Sequence, residues 1–354
     1  MMMKRFMIFV CVVVLGTLTV YAQESGSTSE DTPQYGLPAT TIQAYTPNIE
    51  RIGVSPNILR RLDYRRVVGA VNVVDAPGSG NVLYTEESRS FYVSVSQIVG
   101  DWAEINPGEW IPASQLEPTN PSRLNGVLFP DGYEALEYPI GYSRTSVTFW
   151  STRPGEEAPI TNENAFAPYQ RFDIFAEAEV DGELWYQVGV DQWLPAEQIN
   201  VLHNTERPAE IDTRIWIAID IDNQFVMAYE GETMVYAALT ATGNPWTPTE
   251  TGIFRVYLHY NSRAMTAGTP GDFWYYYIQD VPYTLYYNGD QAIHGVFWHD
   301  NFGVYQSNGC VNLSMNDAYW LYHWTVDYMF NEASGGSEWP LVYVFGEYPP
   351  EEEW

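Results

Sequence analysis

Six positions recur along this chain at one fixed displacement: Trp102, Trp110, Pro112, Ala113, Gln115 and Leu116 return 83 residues later as Trp185, Trp193, Pro195, Ala196, Gln198 and Ile199. A repeat of that kind obliges the fold to build one small unit twice. Each copy closes a stretch of short alternating segments, such as 90–98 and 171–180, broken by Gly, Pro, Asn or Asp turns. Period two with frequent turns is a strand signature. Two small all-β modules are therefore expected, at 65–120 and 138–202.

The ends of the chain read differently. Lys4 and Arg5 precede an apolar run over 6–20, and Val20-Tyr21-Ala22 stands before Gln23. That is the pattern of a signal peptide over 1–22, which places the protein outside the cytoplasm, secreted or associated with the cell wall or periplasm. The run of about 15 residues is short of the roughly 20 that span a bilayer, and its retention as an anchor stays open. Residues 23–62 are rich in Ser, Thr, Pro and Glu and read as a flexible tether, and 347–354 as an acidic tail. With 45 acidic and 16 basic residues the net charge is -29, so nucleic acid and anionic membrane surfaces are poor partners, and no nucleic acid is expected. The surplus serves solubility or draws in a cationic amine.

A third unit, over 212–346, shows strand-like runs at 215–221, 224–229, 234–241 and 251–260. Helical spacing occurs only near the end. There Asn316-Asp317 is expected to cap a segment reaching Phe330, with Ala318, Leu321, Tyr322 and Val326 on its apolar face. The fold class is mostly β: two small barrels, a β-rich third unit and a short C-terminal helix.

Chemistry concentrates in that third unit. Once Cys11 leaves with the signal, Cys310 is the only thiol in a chain sent to an oxidising compartment. It is either buried and inert or kept for its reactivity. His294-Gly295 lies upstream, and Ser307-Asn308-Gly309 leads directly into Cys310. A free thiol of pKa about 8.5 is only a few per cent thiolate near neutrality, and an adjacent imidazole supplies the missing base. Gly309 beside the thiol lets a substrate carbonyl approach closely. His294, His299 and Cys310 could be drawn as metal ligands, but no closely spaced Cys or His pair supports this, and no metal is expected. Trp298 is either a packing residue at the root of the following loop or a substrate contact, and Tyr276, Tyr283 and Tyr286 carry the same ambiguity. His203, His259 and His323 read as surface or packing residues.

The run from His294-Gly295 to Ser307-Asn308-Gly309-Cys310-Val311-Asn312-Leu313 resembles the L,D-transpeptidase catalytic domain (the YkuD/ErfK-like family). Its signature is His-Gly, a loop, then Ser-x-Gly-Cys-[Ile/Val]-[Arg/Asn]-[Leu/Met]. Thr242-Gly243, Thr247-Pro248-Thr249-Glu250-Thr251-Gly252-Ile253-Phe254 and Asp280-Val281-Pro282-Tyr283 look like the same family. The resemblance implies a β-sandwich catalytic domain in which Cys310 is the nucleophile and His294 the general base. The backbone N–H groups of Gly309 and Cys310 would face an oxyanion, with Ser307, Asn308 and Asn312 shaping the site. Gly295, Trp298, Tyr283 and Tyr286 would be the candidate substrate contacts. It also implies peptidoglycan stem peptides as substrates, 3→3 cross-links as product, and no cofactor. An L,D-carboxypeptidase using the same two residues, or an inactive wall-binding protein, are the alternatives. Many members carry His where this chain has Asn308, so no second imidazole is expected beside the base. The Trp-x7-Trp-[Ile/Leu]-Pro-Ala ending of each repeat resembles bacterial SH3-like domains, which implies modules that bind glycan or wall polymer, or else spacers.

Overall fold

Two strands of the third unit, Ile215–Asp220 and Phe225–Glu230, are buried at every position except Glu230. A strand reads as a continuous apolar run when both of its faces are covered, and here both are. On one face Ile217, Ile219, Val226, Ala228, Tyr236 and Ala238 meet Leu285, Tyr287, Ile293, Val311 and Leu313 of a second sheet, together with Ala318 and Leu321 of the C-terminal helix. On the other face Trp216, Ala218, Phe225, Met227 and Tyr229 meet Val127, Phe129, Tyr133, Ile140, Tyr142 and Leu202 from the preceding chain. Each Val, Leu, Ile, Phe or Met among them contributes about 1.5–3 kcal/mol when fully buried. The computed structural model describes residues 35–88, 90–270, 272, 275–330 and 338–349, so the leader expected over 1–22 lies outside the described residues.

The architecture is mostly β, a sandwich of two seven-stranded sheets with small sheets attached. The first large sheet runs Glu50–Arg51, Val127–Leu128, Thr233–Leu239, Phe225–Glu230, Ile215–Asp220, Leu341–Phe345, Gly252–Arg255. The second runs Val311–Ser314, Gln291–Val296, Tyr276–Asn288, Ser90–Val95, Asp63–Val67, Leu116–Pro118, with Leu258–Ala267 also on Tyr276–Asn288. The first repeat, expected as a separate module at 65–120, thus shares a sheet with the third unit. Ser90–Val95 pairs in parallel with Tyr276–Asn288, with Tyr276 opposite Ser90 and Ile278 opposite Tyr92.

The repeat itself is structural. Trp102 pairs with Pro112, Ala103 with Ile111 and Glu104 with Trp110; Trp185 pairs with Pro195, Tyr186 with Leu194 and Gln187 with Trp193. The displacement of 83 carries every pair of one hairpin onto the other, including the irregularity before Asn106 and Gly189. A 3-10 turn and a third short strand follow in both copies, Leu116–Pro118 and Ile199–Val201.

The tether expected over 23–62 is bound to the body over its described part. Residues 35–62 form a helix at Ala39–Ala44, a strand at Glu50–Arg51 and a helical turn at Pro56–Leu59. The Leu37 N–H donates to Gln187 Oε1 (2.6 Å), and the Ser55 N–H to Asn316 Oδ1 (2.9 Å). Composition alone missed this because a few apolar residues, Ile49, Ile52 and Ile58, suffice when a preformed core receives them. The tail expected from 347 is likewise tied at its described start, where the Glu347 N–H donates to Asp222 Oδ1 and the Tyr348 hydroxyl accepts the Thr249 N–H.

The C-terminal helix is Met315–Phe330, and its cap is Ser314 rather than Asn316 or Asp317. Ser314 Oγ accepts the Asp317 N–H (3.1 Å) and donates to Asp317 Oδ2 (2.7 Å), which satisfies one of the free donors of the first turn. Asp317 Oδ1 meanwhile accepts the Gly126 N–H (2.6 Å), pinning the chain between the two repeats. Among the described residues no helix is long and apolar enough to cross a membrane.

Candidate active site

His294 lies on the strand Gln291–Val296, and Cys310 immediately precedes Val311–Ser314. These strands pair in parallel, Ile293 with Val311 and His294 with Asn312, so strand register brings base and thiol to one place. Both side chains line a cleft of about 310 Å³, at the small end of the roughly 300–1,000 Å³ of ligand pockets. Ser307, Asn308 and Asn312 line it with them, as do Trp298 and Tyr276. Among the described residues no Asp, Glu, Lys or Arg side chain lines it, although the chain carries a net charge of -29.

His294 is 3 % exposed, and its Nδ1 lies 3.1 Å from the Gly295 carbonyl oxygen. Only a protonated Nδ1 can donate to that carbonyl, so Nε2 carries the lone pair. Burial pushes the imidazole pKa down to about 4, against the opposing effect of the Gly295 carbonyl, and the ring is neutral at pH 7. The Cys310 thiol is half-buried and donates weakly to the Asp290 carbonyl at 3.7 Å. Burial pushes the thiol up to about 11; the Ala292 N–H opposes this and the Asp290 charge adds to it. The thiol and the imidazole that line the cleft are therefore both neutral. Desolvation outweighs the effects that would favour a thiolate, so the imidazole expected as a base meets a protonated thiol.

The turn that presents Cys310 depends on glycine. Gly309 has φ 108°, a region that favours glycine, and a Cβ there would sit 3.2 Å from Gln291 Nε2. Ser307 Oγ accepts the Gly309 N–H (3.1 Å) and donates to the Cys310 carbonyl (2.5 Å). The Gly309 N–H, expected to face an oxyanion, is thus already engaged within the turn. Thr249 Oγ1 accepts the Gly243 N–H (2.8 Å) and donates to the Gly309 carbonyl (3.0 Å). The Thr242-Gly243 and Thr247–Phe254 segments singled out in the sequence therefore serve as the frame of the turn that presents Cys310.

A second imidazole does stand in the site, contrary to expectation. His299 lines the cleft, and its neighbours fix its tautomer. The Asn301 N–H donates to His299 Nδ1 (3.2 Å), so the ring proton is on Nε2, which lies 2.9 Å from the Asn312 side-chain amide. An N–H there needs an acceptor, and Asn312 Oδ1 is otherwise a buried atom with no partner. Turning the amide over resolves both: His299 Nε2–H donates to Asn312 Oδ1. Burial, with His294 adding to it, pushes the His299 pKa down to about 4. The sequence reading named this histidine only as a conceivable metal ligand; its place beside His294 follows from the cleft that both line.

Of the other expected contacts, Trp298 lies on the cleft while Gly295, Tyr283 and Tyr286 are placed elsewhere. Gly295 is buried beneath the helix, where a Cβ would meet Pro282 Cγ at 3.0 Å and Ala318 Cβ at 3.1 Å, so it is required for packing. Tyr283 is 6 % exposed and packs on Tyr319 (5.3 Å), with the Arg61 guanidinium 4.9 Å from its ring. Tyr286 lies beside Tyr257 and Arg263, outside the cleft lining. Trp298 lies on the cleft with its ring 5.8 Å from His294. Lining residues that the sequence did not disclose are Ser90, Tyr92, Met265, Ile278 and Gln306. Strand periodicity puts Ser90 and Tyr92 on one face, but only the pairing with Tyr276–Asn288 brings that face to Cys310.

Residues 214–330 match the family model described as L,D-transpeptidase catalytic domain (YkuD). Among solved structures, the chain is similar to an L,D-transpeptidase from Stackebrandtia nassauensis, at 19 % identity over 41 % of this chain and 60 % of that one, TM-score 0.29. It is also similar to the catalytic domain of the E. faecium L,D-transpeptidase (23 %, 39 % and 100 %, 0.31) and to an L,D-transpeptidase from Mycobacterium smegmatis (17 %, 64 % and 93 %, 0.32). The chain thus spans less than two thirds of the Stackebrandtia protein. No curated protein matches the chain.

Proposed function

We propose that this chain is an exported cysteine acyltransferase that forms 3→3 cross-links between peptidoglycan stem peptides. The observation that carries this reading is the shared cleft of Cys310 and His294, within residues that match an L,D-transpeptidase catalytic domain. When a stem peptide fills the cleft, His294 Nε2 takes the thiol proton as Cys310 Sγ bonds to the carbonyl carbon of the third residue. The Gly295 carbonyl holds the resulting imidazolium in place through Nδ1–H. The Cys310 N–H faces the oxyanion. Collapse breaks the bond to the terminal D-alanine, whose nitrogen receives the proton from His294 and leaves a thioester on Cys310. An amine of a neighbouring stem then attacks, passes its proton to His294, and releases the product with the thiol restored. No cofactor takes part. The two repeats are read as SH3-like modules that hold the enzyme on wall polymer, and residues 1–22 as the export signal.

The test is mass spectrometry of the intact protein and of its products from a tetrapeptide-bearing disaccharide. The parent chain should release D-alanine and form a dimer joined through third residues, and Cys310→Ala should abolish turnover and the covalent adduct while remaining folded. Tripeptide and D-alanine without dimer would make the protein a carboxypeptidase. An adduct that persists in Cys310→Ala would remove the thiol from the mechanism.

A further inference from the structure

One wall of the cleft comes from the first repeat, outside the residues that carry Cys310. Along Ser90–Val95 the side chains alternate: Phe91 and Val93 enter the core of the repeat, with Phe91 5.7 Å from Tyr277, while Ser90 and Tyr92 line the cleft. Parallel pairing with Tyr276 and Ile278, which line the cleft too, fixes this parity, since a slip of one residue would present Phe91 instead. The Tyr92 ring is held 6.2 Å from both Phe297 and Trp298. Neither the Ser90 Oγ nor the Tyr92 hydroxyl has a hydrogen-bond partner among the described residues. Residues two apart on a strand are separated by about 6.6 Å, the same interval at which an extended peptide presents successive carbonyls to one side.

We propose that Ser90 and Tyr92 form a binding subsite for an extended peptide, donating hydrogen bonds to its backbone carbonyls. If the function proposed above is right, that peptide is the stem being cleaved, and the repeat is part of the enzyme's specificity. In a cleft lined by no formal charge among the described residues, neutral hydroxyl donors select for backbone geometry rather than for a charged side chain.

The experiment uses the full chain from Gln23, with a synthetic tetrapeptide stem ending in D-alanine as probe. Binding is measured by calorimetry in Cys310→Ala, and KM and kcat in the chain that keeps Cys310. Tyr92→Phe retains the ring that packs on Trp298, and Ser90→Ala is isosteric enough to leave the strand intact, so thermal unfolding should be unchanged. Each should raise Kd and KM by about three- to tenfold, the loss of one neutral hydrogen bond, with kcat little altered. Peptide binding that weakens in the variants when the parent shows no turnover would leave the subsite standing and remove the enzymatic reading. Binding by the double variant as tight as by the parent would overturn the subsite, and so would a parent that binds no stem peptide.

Discussion

The two copies of the repeat have the same hairpin, register and kind of core, yet they meet the catalytic unit in different ways. Ile111 and Leu194 occupy equivalent places and are both fully buried. In the first copy the six-residue strand Ser90–Val95 continues into the catalytic sheet. Its counterpart Arg171–Asp173 has three residues, pairs only with Ile140–Ser143, and carries an Arg171–Asp173 ion pair at 2.6 Å. Short, charged edge strands discourage further pairing. The second copy reaches the site through side chains instead. The Tyr169 hydroxyl accepts the Phe302 N–H (3.2 Å) and donates to the Asp300 carbonyl (2.5 Å), while Asn200 Nδ2 donates to the Gly303 carbonyl (3.2 Å). A duplicated core has thus been put to two uses, a cleft wall and a clamp on the loop between His294 and Cys310, and the difference lies at the edges.

The comparison breaks most severely if the repeats are dispensable. Removing 23–204 would strip one partner strand each from Tyr276–Asn288 and Thr233–Leu239 and expose Trp216, Phe225, Met227 and Tyr229, so we expect no soluble, active protein. A truncated chain with parental turnover on a soluble stem peptide would reduce both copies to appendages.

The thiol reports whether the first copy's wall is in place. With burial holding its pKa at about 11, alkylation of Cys310 should climb through pH 10 without a plateau. At pH 7 it should be on the order of 100-fold slower than for a free cysteine of pKa about 8.5. The sign follows from the direction of the shift, since a raised thiol pKa leaves less thiolate at every pH below it. A plateau near pH 8 in a pH series with iodoacetamide would mean that the wall does not close the cleft.

Ile111→Ala and Leu194→Ala should each cost about 2–5 kcal/mol, and nearly the same amount, because equivalent buried positions are emptied. Denaturant titration measures both. A large inequality would show that sharing a sheet with the catalytic unit changes the stability of the first core. The smallest effect is expected from Tyr169→Phe, which removes both loop bonds at a cost of about 1–3 kcal/mol to loop order. Faster amide exchange at Phe302 with unchanged global unfolding would sharpen the clamp assignment, and unchanged exchange would remove it.

Much of this was legible in the residues alone. The repeat follows from a fixed displacement of Trp and Pro, and strand character follows from period two, because both are local patterns. Cys310 and His294 stood out for the same reason: a lone thiol and a His-Gly pair each sit beside their own local signals, and parallel pairing of the strand that carries His294 with the strand that follows Cys310 brings them together. What was not legible depends on contacts between segments distant in sequence. That Ser90 and Tyr92 face the cleft, that 35–62 packs on the body, and that His299 rather than the residue at 308 supplies the second imidazole are decided by which edge pairs with which. The protonation of the site was decided there too. Sequence supplied a thiol and a base, but the burial that keeps both neutral comes from a cleft assembled from four separate stretches of chain, and desolvation is a property of that enclosure.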